Sequence, residues 1–159
     1  MNNDYRIEKD RVAVVLTTTS GERIAGDMFV QPFARYRTGR EGAPDILNHP
    51  EPFFPLGVES GDTYLVAKDR VLEVALDGED PDTEDGLTAE ELGARPAVIE
   101  VSLTGGIVRQ GSVFLEVPND RPRLLDFMNR LHTRFLTLHT TEGIRLVNRN
   151  CIERVRPLD

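Results

Sequence analysis

The chain has 159 residues, a formal net charge of −8 and one cysteine, so it can hold one ordinary domain or two small ones. A single cysteine excludes an internal disulfide and favours a reducing compartment. No apolar run approaches the ~20 residues that a membrane helix needs. We therefore expect a cytoplasmic protein that does not enter a membrane.

The charge is distributed unevenly along the chain. Residues 1–77 carry 9 basic and 13 acidic side chains, residues 78–96 carry 1 and 7, and residues 97–159 carry 9 and 7. The middle segment therefore supplies most of the acidity, and the last segment is mildly basic. The net charge argues against non-specific binding to nucleic acid, but it does not exclude a local site in the mildly basic second half.

Five short strands are predicted in the first half from alternating apolar residues and the turns between them. These strands cover residues 12–16, 22–30, 53–58, 64–66 and 71–74. An irregular insertion rich in arginine, glycine and proline occupies residues 31–44, after the second strand. Asp45 to Asn48 then has room for one helical turn, because Pro50 stops any continuation.

A charged linker separates the two halves of the chain. Residues 78–86 contain no apolar side chain, so they cannot contribute to a core. The acids of this segment have some of the spacing of a calcium loop, but Asp85 stands where such a loop requires glycine. We predict an acidic linker over residues 78–96, with a short helical turn and no metal site.

The second half repeats the first. Residues 146–155 match residues 65–74 over ten positions without a gap, and five strands are predicted in each half. We therefore predict an internal duplication, with one repeat over residues 1–77 and a second over residues 97–159. The fold class that follows is mainly β: two tandem small five-stranded barrels, each with an insertion after strand two.

An aspartate and an asparagine recur in both repeats, as Asp45 and Asn48 and as Asp126 and Asn129. A motif kept in both halves indicates a shared constraint, and we favour a structural role in which these side chains close the local turn. Apolar residues at helical spacing surround the second copy, and they are Leu124, Leu125, Met128 and Leu131. This stripe can cover its own barrel or join two units or two chains.

The second repeat has a glycine in strand two, Gly111, then Asp126 and Asn129, and a basic residue, Arg149, before the last strand. In these residues it resembles the Sm-like barrels, a superfamily of RNA-binding rings. The resemblance implies that the predicted small barrels are of the SH3 or Sm-like type. It implies that Asn48 and Lys68 occupy the corresponding positions of the first repeat. The connection from Gly111 to Asp126 is longer than in that family, so an insertion stands where its RNA loop begins.

The sequence contains no nucleophile elbow, phosphate-binding loop or dinucleotide fingerprint, and its three histidines do not have the spacing of a metal triad. We therefore predict a non-enzymatic module that works through protein contacts or self-association, with no cofactor. The alternative is an RNA-binding Sm-like protein. The candidate residues for partner or RNA contacts are Arg121, Arg123, Asn129 and Arg149, with Asn48 and Lys68 in the first repeat.

Overall fold

The computed structural model describes residues 10–30, 42–76, 94–116 and 124–158. In the first half the elements are β1 (Asp10–Thr18), β2 (Arg23–Val30), α1 (Ala43–Asn48), β3 (Phe53–Gly57), β4 (Thr63–Ala67) and β5 (Val71–Leu76). In the second half they are β6 (Ala94–Leu103), β7 (Ile107–Glu116), α2 (Leu124–Asn129), β8 (Phe135–Thr140), β9 (Gly143–Asn148) and β10 (Ile152–Pro157). Short 3-10 turns at Lys68–Arg70 and Arg149–Cys151 lead into β5 and β10.

The predicted mainly β fold is confirmed, and each half contributes five strands. Strand β6 begins at Ala94 and includes Pro96, so it starts within the last residues of the range predicted for the linker. The predicted turn at Asp45 is extended by Ala43 and Pro44 into α1. Most of the predicted acidic linker, residues 78–93, lies outside the described residues.

All ten strands join one open antiparallel sheet, in the order β10-β6-β7-β8-β9-β5-β1-β2-β3-β4. In each half the fifth strand flanks the first, and the second, third and fourth follow in turn. The halves meet where β5 pairs with β9, that is, where the fifth strand of one half meets the fourth strand of the other. Among the described strands, β4 and β10 are therefore the two edges. The division into two tandem barrels stays a prediction.

A glycine permits the same close approach in both halves. A Cβ on Gly26 of β2 would lie 2.6 Å from the carbonyl oxygen of Gly57, and a Cβ on Gly111 of β7 would lie 2.7 Å from that of His139. Real Cβ atoms do not tolerate such distances, so only glycine lets the second strand cross the third this closely.

The hydrophobic core crosses the boundary between the halves. The cluster that fills the first half includes Phe135, Ile144 and Leu146 from the second half. The cluster that fills the second half includes Leu72 from β5. Each half thus completes the core of the other, and the join between them is a buried interface.

Candidate functional site: the two edges of the sheet

The pairing of β5 with β9 shows how a fifth strand and a fourth strand of this chain fit together. Glu73 lies opposite Val147, Val74 opposite Leu146, and Ala75 opposite Arg145. Val74 and Leu146 are completely buried and belong to one cluster. The centre of this join is therefore a buried apolar pair, with Glu73 and Arg145 in the residue pairs on either side of it.

A hydrogen bond between helix α1 and strand β8 also connects the two halves. The backbone N–H of Phe135 donates to Oδ1 of Asn48 at 2.8 Å, which connects the end of α1 to the first residue of β8. The Phe135 ring is only 1% exposed and shares a cluster with Ala43 and Leu47 of α1. Helix α1 thus binds the backbone of Phe135 through Asn48 and shares an apolar cluster with its side chain.

Two further contacts across the join involve buried polar groups. Nδ2 of the fully buried Asn148 donates to the carbonyl oxygens of Lys68 at 3.3 Å and Val71 at 2.8 Å. Nη2 of Arg109 lies 2.6 Å from a carboxylate oxygen of the buried Glu73. Hydrogen bonds with Glu73 raise the pKa of Arg109.

The β4 edge leaves the counterparts of these buried residues in solvent. Phe53 begins β3 as Phe135 begins β8, and the ungapped repeat match makes Leu65 the counterpart of Leu146. Phe53 is 55% exposed and Leu65 is 73% exposed, although their counterparts are buried in the join. Tyr64 beside them is also exposed. We call these three residues and β4 the β4 edge.

The opposite edge of the sheet, at β10, carries apolar residues that are only partly buried. Four first-half residues under the join are fully buried: Ala43, Leu47, Val71 and Val74. Their second-half counterparts are only partly buried against the second cluster: Leu124, Met128, Ile152 and Val155. This difference follows from the topology, because β9 covers β5 whereas no described strand covers β10. We call β10 and these four residues the β10 edge.

The predicted basic residues bind backbone carbonyls of their own half. Nζ of Lys68 donates to the carbonyl oxygens of Ile46 at 2.6 Å and His49 at 2.9 Å, so it neutralises the end of α1. Lys68 is 1% exposed, and burial lowers its pKa to about 8. The Arg149 guanidinium donates to the carbonyl oxygen of Leu131, just beyond α2. The structure thus places Lys68 beside the helix of Asn48, and Arg149 beside the helix of Asn129.

The Asp and Asn residues of the repeated motif have different surroundings in the two halves. A carboxylate oxygen of Asp45 accepts the N–H of Gly42 at 2.7 Å, which closes the first turn of α1. Asp126 and Asn129 are exposed. Two of the predicted site residues lie outside the described residues: Arg121 and Arg123.

A polar cleft of about 530 Å³ lies along the join between the halves. It contains the Glu73–Arg109 pair, and Arg145 on its wall bonds Glu142 at 3.2 Å. Two ion pairs therefore line the cleft, and Arg23 on the same lining adds a further positive charge.

Across residues 10–30, 42–76, 94–116 and 124–158, no three side chains of His, Cys, Asp or Glu form a group that could hold a metal ion. No helix within these ranges is long and apolar enough to cross a membrane. Comparison of the chain with protein-family models, curated proteins and solved structures finds no match. The two edges are thus the features of the described fold that most call for a partner.

Proposed function

We propose that this chain is a non-enzymatic protein-interaction module that self-associates head to tail, with the β10 edge of one copy added to the β4 edge of the next. The observation that carries the proposal is the β5–β9 pairing within the chain. That join unites a fifth strand with a fourth strand, and a fourth and a fifth strand are left at the ends of the sheet. The same kind of join can therefore be made again between copies.

The register of the internal join can be carried over to the two edges. It sets Val155 opposite Leu65, as Val74 stands opposite Leu146, and it sets Arg156 opposite Tyr64. An apolar pair would again form the centre, with longer side chains beside it. The unpaired N–H and C=O groups of an edge strand are a ready template for such an addition.

Apolar burial supplies the driving force for this association. Phe53 and Leu65 are largely exposed on one edge, and the partly covered residues of the β10 edge offer them an apolar surface. Complete burial of such a side chain contributes roughly 1.5–3 kcal/mol. An exposed edge strand with large apolar residues is otherwise an aggregation risk, which a regular assembly removes.

The join between copies should be weaker than the join within the chain. Ala67 stands at the position of Asn148 and has no side-chain donor, and Arg154 stands at the position of Glu73. The hydrogen bonds of Asn148 and the ion pair of Glu73 therefore have no counterpart at the edges. We expect assemblies that dissociate on dilution into intact single chains.

Tandem duplicated barrels remain part of this proposal. The repeated strand order and the equivalent contacts of Gly26 and Gly111 support the duplication. RNA binding is the alternative function, and it rests on the resemblance to Sm-like barrels and the basic second half. The contacts of Lys68 and Arg149 with backbone carbonyls favour protein association, because these cations already have partners.

The proposal is tested by the mass of the full chain in solution at several concentrations, by sedimentation velocity. Wild type should form multimers, and Leu65→Lys on the β4 edge should be monomeric because it places a charge in the apolar centre of the join. Val108→Lys is the matched control, since Val108 is exposed but lies in the cleft, away from both edges. A wild-type chain that stays monomeric at high concentration would overturn the proposal.

A further inference from the structure

We infer that Asn129 locks the join between copies, because its side-chain oxygen can accept a hydrogen bond from the backbone N–H of Phe53 in the next copy. The inference rests on the proposed self-association and adds a specific contact to it. It gives the second copy of the repeated motif a role in assembly, and its model is the bond between Asn48 and Phe135.

The backbone around the donating N–H group is built alike in both halves. The N–H of Lys68 donates to the carbonyl oxygen of Pro52 at 2.9 Å, immediately before Phe53. The N–H of Arg149 donates to the carbonyl oxygen of Arg134 at 2.8 Å, immediately before Phe135. The two phenylalanines therefore enter β3 and β8 through the same hydrogen-bonded turn. This similarity orients the N–H of Phe53 as that of Phe135 is oriented.

The side that supplies the accepting asparagine is also built alike in the two halves. Asn48 and Asn129 are each the last residue of a six-residue helix, and each helix end is held by a cation from the turn before the fifth strand. Lys68 does this for α1 and Arg149 does it near α2. Asn129 is exposed, and no hydrogen-bond partner for its side chain is found within the described ranges.

The different surroundings of the two asparagines follow from the strands that lie beside them. Asn48 lies beside the second half of its own chain, and its side-chain oxygen accepts a hydrogen bond from the backbone N–H of Phe135. Asn129 has no described strand on its side of the sheet, since β10 is an edge. A second copy seated on that edge would bring Phe53 to Asn129 as Phe135 is brought to Asn48. The aromatic ring of Phe53 would cover Leu124 and Met128, which are only partly buried.

The lock is tested with Asn129→Ala and Asn129→Asp in the full chain. At a concentration where the chain is monomeric, both variants should unfold at the wild-type temperature. In sedimentation velocity, Asn129→Ala should associate roughly tenfold more weakly, the scale of one lost hydrogen bond with a charged or buried partner. Asn129→Asp should associate nearly as well as wild type, because a carboxylate oxygen accepts the same N–H.

The outcomes separate the lock from the self-association on which it rests. If wild type and Asn129→Ala associate equally while Leu65→Lys is monomeric, the lock is wrong and the self-association stands. If wild type is monomeric at every concentration, both are wrong. A fluorescein-labelled single-stranded RNA of mixed sequence serves as a further probe. If Asn129→Ala abolishes its salt-sensitive binding and leaves association unchanged, Asn129 is an RNA contact and the lock is overturned.

Discussion

Asn48 accepts a hydrogen bond from the backbone N–H of Phe135 at 2.8 Å, although the two residues are 87 positions apart in the sequence. This bond links a helix end in one half of the chain to the first residue of a strand in the other. It makes the relation between the halves specific, because it fixes the position of α1 over β8 as well as the pairing of β5 with β9.

Asn48→Ala should therefore lower the free energy of unfolding by about 1 kcal/mol, the net value of one hydrogen bond. The N–H of Phe135 would lose its acceptor in a buried position, so the loss can reach the upper end of the usual range. Urea unfolding of wild type and variant measures the difference. Asn129→Ala is the matched control and should leave the stability of the single chain unchanged. Equal losses in both variants would contradict this account.

Gly26→Ala and Gly111→Ala should each destabilise the chain by roughly 1–3 kcal/mol, the usual cost of forcing an extra carbon into a packed site. The added Cβ would meet a backbone carbonyl oxygen at 2.6 Å or 2.7 Å, and backbone cannot move aside as a side chain can. Ala25→Ser, at an exposed position of β2, is the control. Thermal unfolding that is unchanged in both glycine variants would show that the second and third strands are not in this close contact.

Arg109→Met should destabilise the chain by roughly 1–3 kcal/mol, because it leaves the carboxylate of Glu73 buried without its partner. Glu73→Gln should cost less, since Arg109 is partly exposed and can turn to water. Urea unfolding of the two single variants and the double variant gives the coupling between the residues. A coupling of zero would mean that the pair does not hold the join together.

The stability of the chain should rise with pH between about 8 and ~10.4, through the titration of Lys68. The folded-state pKa of about 8 lies below the unfolded value, so in this window the unfolded chain binds a proton that the folded chain has released. Below pH 8 both states hold the proton, and the contribution of Lys68 does not change with pH. The measurement is the difference in unfolding free energy between wild type and Lys68→Met at several pH values. A constant difference would contradict the lowered pKa.

The strands of this fold follow from local sequence, and the pairing between the halves does not. Alternation of Val14 and Leu16 predicts β1, and both residues are buried as that pattern requires. The repeat match predicts that Phe53 corresponds to Phe135. Whether such a residue is buried depends on which strand lies beside it, which neither local alternation nor a repeat comparison contains. The exposed β4 edge was therefore missed.

The role of Lys68 shows the same limit for the candidate site. Its place before the last strand predicted a basic side chain that faces a ligand, but the carbonyl oxygens of Ile46 and His49 lie within its reach. Unpaired carbonyls at a helix end need donors, and a nearby ammonium satisfies them. Because α1 was expected to be a single turn, the sequence did not indicate that its last carbonyl groups would need a hydrogen-bond donor.

The most direct test of head-to-tail self-association is to mix two variants that each have one damaged edge. Leu65→Lys blocks the β4 edge and Val155→Lys blocks the β10 edge, so each should be monomeric alone in sedimentation velocity. Mixed in equal amounts, they should form a one-to-one dimer, because the intact β10 edge of the first fits the intact β4 edge of the second. If each variant dimerises by itself and the mixture forms no heterodimer, like edges pair with like edges and head-to-tail association is contradicted.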